Sequence, residues 1–172
     1  MANYYVAMSM YEPDERETFY FKTQLPDRKF STGWGKINPI NKSQIEIKKI
    51  IEEVYPDTVG TNNPDNGAHS LTLFSYLAPG DIIFVRGVAK IIDIIVITGK
   101  AFFDKVGHYG DDYLLKVPFT PLFDKPTSID TAQIPPEIYN EILFTDGRAL
   151  VVRELPNDIA RYLIKAIVEN ID

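Results

Sequence analysis

Residues Pro79 to Pro121 read PGDIIFVRGVAKIIDIIVITGKAFFDKVGHYGDDYLLKVPFTP, and this stretch decides the fold. Pro79-Gly80-Asp81 forms a turn. Ile82, Ile83, Phe84 and Val85 follow as an apolar run too short for a helix and rich in β-branched types, which predicts a strand. Gly87 breaks it. The run Ile91 to Phe103 is β-rich again, with Gly99 placed where a bulge or sharp bend is expected. After the glycine-bearing segment Asp104 to Gly110, apolar side chains come in near-alternation from Tyr113 to Phe119, predicting a third strand. Three consecutive strands with a strongly bent middle one suit a small, partly closed barrel. The expected class is therefore α/β (α+β), a twisted, mostly antiparallel open β-barrel with flanking helices.

Working outward, residues 3 to 10 (NYYVAMSM) predict a first strand. Tyr11 to Thr18, charged and containing Pro13, reads as a loop or hairpin tip, and Phe19 to Phe21 as a short strand. Pro26 to Pro39 (PDRKFSTGWGKINP) is turn-rich and holds the chain's one tryptophan, Trp34. Ser43-Gln44-Ile45-Glu46 fits a capping box, so a helix is expected to follow, with Ile47, Ile50, Ile51 and Val54 on its apolar face and Pro56 ending it. Asp57 to Gly67 reads as a long turn-forming loop, and His69 to Leu77 as a short helix. Beyond the meander, Asp124 to Gln133 is expected as loop and Pro135-Pro136 as the start of a helix through Leu143. A turn at Asp146-Gly147 should lead into a short strand, Ala149 to Arg153. A last helix with Ile159, Leu163, Ala166 and Ile167 at helical spacing follows.

The chain has 172 residues, the size of one domain, and shows no repeat or linker at which to divide it. Residues 1 to 172 are read as one unit, whose end just beyond a predicted helix would suit the N-terminal part of a longer protein. With no cysteine, there is no thiolate for a metal, a disulfide or a nucleophile. No export signal or membrane span is legible, and a cytoplasmic setting is expected. The net charge is −6, which argues against indiscriminate polyanion binding. It is unevenly spread: residues 28 to 49 hold six Lys or Arg against one acid, whereas residues 124 to 172 hold five basic and nine acidic side chains. This asymmetry fits either one nucleic-acid-facing side or a basic helix face that touches only water.

Several chemistries find no support. The phosphate-cradling pattern G-x-x-x-x-G-K-[ST] is absent. His69 and His108 lie far apart with no second ligand at a metal-binding spacing, so neither a metal nor any other cofactor is expected. Pro26-Asp27 with Glu46-Ile47-Lys48 mimics the arrangement of metal-dependent nucleases. There, however, Glu and Lys ride on a strand, whereas Glu46 here belongs to a predicted helix start.

The segments Gly80-Asp-Ile-Ile-Phe84 and Ile97-Thr-Gly-Lys-Ala101, followed by an aromatic-bearing loop and a returning strand, resemble the PUA-like superfamily, which includes PUA, ASCH, EVE and YTH domains. With Gly33-Trp34-Gly35 added, the likeness extends to the N-terminal DNA-recognition domains of McrB-type, modification-dependent restriction proteins. It covers roughly Phe30 to Phe123. It implies a non-catalytic reader of nucleic acid, DNA in preference to RNA, in which a flipped and methylated base enters a pocket. Motor and nuclease partners would belong to the same restriction complex. An RNA-binding module of the same superfamily, a small metal-dependent nuclease and an interaction domain whose acidic C-terminal helix docks a partner are the alternatives.

On this reading Trp34, between two glycines, would stack a base, with Phe102, Phe103, His108 and Tyr109 placed near the same barrel mouth. Lys36, Arg86, Lys90, Lys100 and Lys105 would hold phosphates there. Core packing of Trp34, Phe102 and Phe103, and plain solvation of the basic residues, are the competing roles.

Overall fold

A computed structural model describes residues 3–34, 36–110, 112–143 and 152–169. Strand β1 (Tyr4–Met8) leads into a 3-10 turn, Pro13–Glu15, and then a helical run: α1 (Arg16–Phe19), a π-helical turn (Tyr20–Gln24) and α2 (Leu25–Asp27). This replaces the loop expected at Tyr11 to Thr18 and the strand expected at Phe19 to Phe21. The aromatic residues there favour strands on propensity, but tertiary contacts decide. Phe19 and Tyr20 are buried, and the Tyr20 hydroxyl donates to the buried Asp93 carboxylate.

Next come β2 (Lys29–Ser31), α3 (Gln44–Val54) and α4 (Asn63–Ser75). Ser43 caps α3, its Oγ accepting from the Glu46 backbone N–H at 3.2 Å. Ile47 and Ile51 are fully buried, while Val54 faces solvent. Helix α4 starts well inside the loop expected at Asp57 to Gly67, because Pro64 sits in the first turn, where its missing N–H breaks no helical bond. His69 consequently lies mid-helix rather than at a helix start.

The Pro79-Gly80-Asp81 turn closes as expected. The Asp81 N–H donates to the Ala78 carbonyl at 3.0 Å, and Gly80 takes φ +94°, which a side chain would resist. The Asp81 carboxylate then accepts from the Asn3 and Ala78 N–H groups, tying the turn to the start of β1. The meander follows as β3 (Ile82–Arg86), β4 (Lys90–Ile97), β5 (Phe102–Phe103) and β6 (Leu115–Pro121). The expected single bent strand from Ile91 to Phe103 is two strands. The register irregularity lies at Val85/Arg86 rather than at Gly99. Gly99 lies between β4 and β5, where a Cβ would come within 2.7 Å of the Pro118 ring, so its role is close packing.

Beyond β6, residues expected as loop include β7 (Ile129–Asp130). Then come α5 (Pro136–Leu143), β8 (Val152–Glu154) and α6 (Asn157–Glu169). The turn at Asp146-Gly147 and the first part of the expected strand at Ala149 lie outside the described residues.

The sheet runs β2-β6-β4-β3-β1-β8, with β5 on β6 and β7 on β4. Among the described residues every pairing between these strands is antiparallel except β1 with β3. It curls strongly into an open half-barrel with helices against it, the α+β architecture expected from the sequence. Its apolar interior is continuous across sheet and helices, from Val6, Phe84 and Ile94 to Ile47, Phe74 and Leu163. A satellite cluster of Met10, Phe19 and Tyr113 lies apart from this core. No helix among the described residues is long and apolar enough to cross a membrane.

Candidate nucleic-acid interface

Trp34 follows β2 and lines an open pocket of about 300 Å³. Its ring and that of Tyr55, at the end of α3, meet at 81° with centroids 5.2 Å apart, forming a corner. Tyr11 and Tyr113 add two more aromatic walls, Asn63 and Asn66 bring amides from the first turn and a half of α4, and Asp112 contributes a carboxylate. The indole reaches this position because position 67 is glycine. A Cβ there would stand 2.8 Å from Cε2 of Trp34 and 2.9 Å from Cδ1 of Ile51.

Both Trp34 (φ +60°) and Tyr113 (φ +58°) adopt left-handed backbone, a conformation that costs a non-glycine residue roughly 1–2 kcal/mol. Two such residues in one pocket mark it as a place where geometry is held against local preference.

The surrounding elements hold the walls in place. The buried Arg16 guanidinium donates to the carbonyls of Met10 (2.8 Å), Tyr11 (3.2 Å) and Gly87 (3.3 Å), fixing the segment that carries Tyr11 and linking it to the β3–β4 turn. The Tyr113 hydroxyl accepts from the Tyr11 N–H at 3.3 Å. The loop bearing Tyr109, Asp112 and Tyr113 is anchored at its start by buried Lys116, whose Nζ donates to the Asp104 carboxylate at 2.9 Å and the Val106 carbonyl at 2.7 Å.

His108 is the second anchor. Its side chain is only 6% exposed. Nε2 lies 2.7 Å from the Asp27 carboxylate and Nδ1 lies 2.7 Å from Ser31 Oγ. Burial lowers the imidazole pKa, outweighing the opposing effect of Asp27. The neutral ring therefore donates from Nε2 to Asp27 and accepts at Nδ1 from Ser31. This Ser-His-Asp chain is no nucleophile system, since Ser31 is fully buried and its Oγ also accepts from Gln24 Nε2 at 3.1 Å.

Of the residues singled out in the sequence, Trp34 lines the pocket and Tyr109 stands beside it, half exposed, its ring 6.4 Å from that of Tyr113. Lys36 is exposed two positions after Trp34, and Lys100 and Lys105 are exposed on the links around β5. None of the five proposed phosphate-binding residues lines the pocket. Lys90 pairs with Glu17 at 2.6 Å. Arg86 is partly buried, and burial with the neighbouring Arg16 brings its pKa down to about 10. Phe103 is half-buried against the core and pairs with Leu115.

The nuclease-like trio is dispersed. Asp27 holds His108, Glu46 stays at the α3 cap, and Lys48 pairs with Asp65 of α4 at 3.1 Å. Among the described residues no three His, Asp or Glu side chains converge as metal ligands.

Sequence reasoning missed Tyr11, Tyr55, Asn63, Asn66, Asp112 and Tyr113. A tyrosine just before the helix-ending Pro56, and a second tyrosine close behind the Gly-His-Tyr loop, were the signals available.

No protein-family model matches the sequence, and no curated protein matches it. In three dimensions the chain is similar to Rpa0253 of Rhodopseudomonas palustris, with a TM-score of 0.54, 15% identity and coverage of 99% of this chain and 97% of that one. It is also similar to Atu2648 of Agrobacterium tumefaciens, with a TM-score of 0.51, 13% identity and 96% and 92% coverage. A third similar structure is the YTH domain of the Zygosaccharomyces rouxii MRB1 protein, solved in complex with N6-methyladenosine RNA. There the TM-score is 0.51, the identity 11%, and coverage 96% of this chain and 86% of that one. At these identities the likeness is one of fold, and that fold is the PUA-like half-barrel which the YTH domain also adopts.

Proposed function

We propose that this protein reads nucleic acid by taking a single, modified base out of its stack and into the Trp34 pocket. The observation that carries this is the corner of Trp34 and Tyr55 at the mouth of a cavity that also offers the side-chain amides of Asn63 and Asn66. Aromatic walls supply stacking on a flat ring, and amides supply both donors and acceptors for its edge. The YTH domain that shares the fold was solved with N6-methyladenosine RNA, which supports a reader role for this architecture. The lining residues include no catalytic pair of acid and base, so the proposed role is binding without chemistry. The finer assignment, DNA recognition within an McrB-type restriction complex with motor and nuclease partners, rests on the resemblance of Gly33-Trp34-Gly35 and the meander. RNA recognition is its rival.

Matched DNA and RNA oligonucleotides, with and without a methylated base, titrated in one buffer separate these assignments. Stacking is worth about 1–3 kcal/mol per base, so Trp34→Ala should weaken binding roughly 5- to 150-fold at low and high salt alike. Lys36→Ala should matter only at low salt, because a phosphate contact is screened. Equal fading of both effects with salt would remove Trp34 as a stacking platform.

A further inference from the structure

Resting on the reading above, we propose that the pocket selects a base that is positively charged at neutral pH, such as ring-N-methylated adenine or cytosine, over its neutral methyl isomer. The pocket is built like a cage for a cation. Four aromatic residues (Trp34, Tyr55, Tyr11 and Tyr113) line it, and aromatic faces attract cations electrostatically. Asp112 is the one charged side chain among the lining residues described, and no Lys or Arg joins it.

The negative field of Asp112 is felt at both flanking phenols. After burial, Asp112 is a further cause that raises Tyr55; at Tyr113 burial comes first, the Tyr11 N–H and Arg16 oppose it, and Asp112 and Glu12 add to it. The first turn of α4 brings the partial positive charge of a helix start toward Asn63 and Asn66. Asp65 in that same turn, itself paired with Lys48, offsets it only in part. A base suits the site better than a quaternary ammonium, because the amides of Asn63 and Asn66 can pair with a ring edge that such an ion lacks.

Nucleosides test this directly, since without phosphates they leave only the pocket to discriminate. Trp34 is the chain's one tryptophan, so its indole N–H resonance reports occupancy of the site alone. 1-Methyladenosine and N6-methyladenosine are isomers that differ in charge at pH 7, as are 3-methylcytidine and 5-methylcytidine. We expect the cationic member of at least one pair to bind the full chain about tenfold more tightly or better. In Asp112→Asn the preference should shrink to about threefold or less while the neutral isomer still binds.

Equal or tighter binding of the neutral isomers would overturn charge selection and leave the base-reader reading intact. No response to any nucleoside, together with no binding of modified oligonucleotides, would overturn both. Choline binding as tightly as the cationic nucleosides would overturn the assignment to a base. Should Asp112→Asn fail to fold, the isomer comparison on the native chain decides alone.

Discussion

A methyl group at position 67 would collide with Trp34 and Ile51, and the indole, which borders open space, is the part able to yield. Alanine is the better helix former by about 1 kcal/mol, and crowding costs roughly 1–3 kcal/mol. Gly67→Ala should therefore change stability by less than about 2 kcal/mol yet weaken ligand binding nearly as much as Trp34→Ala. Unchanged affinity with an unmoved indole resonance would show that the glycine does not shape the pocket. At His108 the pKa lies below its ordinary 6.5 because the ring is buried. The unfolded chain then binds the extra proton more readily, so this residue's stabilising contribution is complete above about pH 6.5 and is lost as pH falls through the lowered value. Asp27 behaves differently. Its partial burial is outweighed by hydrogen bonds from His108 and Lys29, which hold it below 3.8, so its own contribution is lost only at much lower pH. Denaturant titrations between pH 5 and pH 7.5 should show the native chain losing stability toward the acid end, and His108→Gln should flatten that slope; an unaltered slope would place the titrating group elsewhere. Trp34 was legible as a lone indole between glycines in a turn-rich stretch. The partners of His108 were not, because Asp27 and Ser31 lie far from it in sequence and only the pairing of β2 with β6 brings them together.

Among the elements, those whose pattern is local were readable, including β3, β4, β6 and the capped α3. The π-helical turn Tyr20–Gln24 was not, because the bond from Tyr20 to Asp93 crosses to a strand 73 residues away. Burial pushes both groups up, with the shared hydrogen bond raising Tyr20 further and lowering Asp93. Tyr20→Phe would leave the buried Asp93 carboxyl without its hydroxyl donor, a loss of about 1–3 kcal/mol. Chemical denaturation should register it, and the loss should grow as pH rises, since the raised carboxyl pKa means that ionising Asp93 in the fold becomes costlier. No loss at any pH would mean that the phenol serves only to fill space. Helix α4 was half legible. The run Asn62-Asn63-Pro64-Asp65-Asn66-Gly67 has the composition of a turn, and what makes it helical is packing of Pro64, Gly67 and Ala68 as buried residues.

For the whole molecule, the curled antiparallel sheet followed from the meander, but the position of β1 inside it did not. Tyr4 pairs in parallel with Ile82, and Tyr5 pairs antiparallel with Glu154, so β1 lies between two strands that come much later in the chain. Tyr5, Val6, Ala7 and Met8 are all buried. Burying a large apolar side chain is worth about 1.5–3 kcal/mol, against a total stability of about 5–15 kcal/mol for a domain. Deleting residues 1–8 should abolish cooperative thermal unfolding by circular dichroism, and a sharp transition in the deleted chain would show that β3 and β8 can manage without their neighbour. The same arrangement bears on biosynthesis. Strand β1 leaves the ribosome well before either neighbour and has no pairing partner until β3 emerges and none on its other edge until β8 does, so it stays an adhesive ribbon while the residues between are made, and a chaperone that shields nascent chains would find its client there.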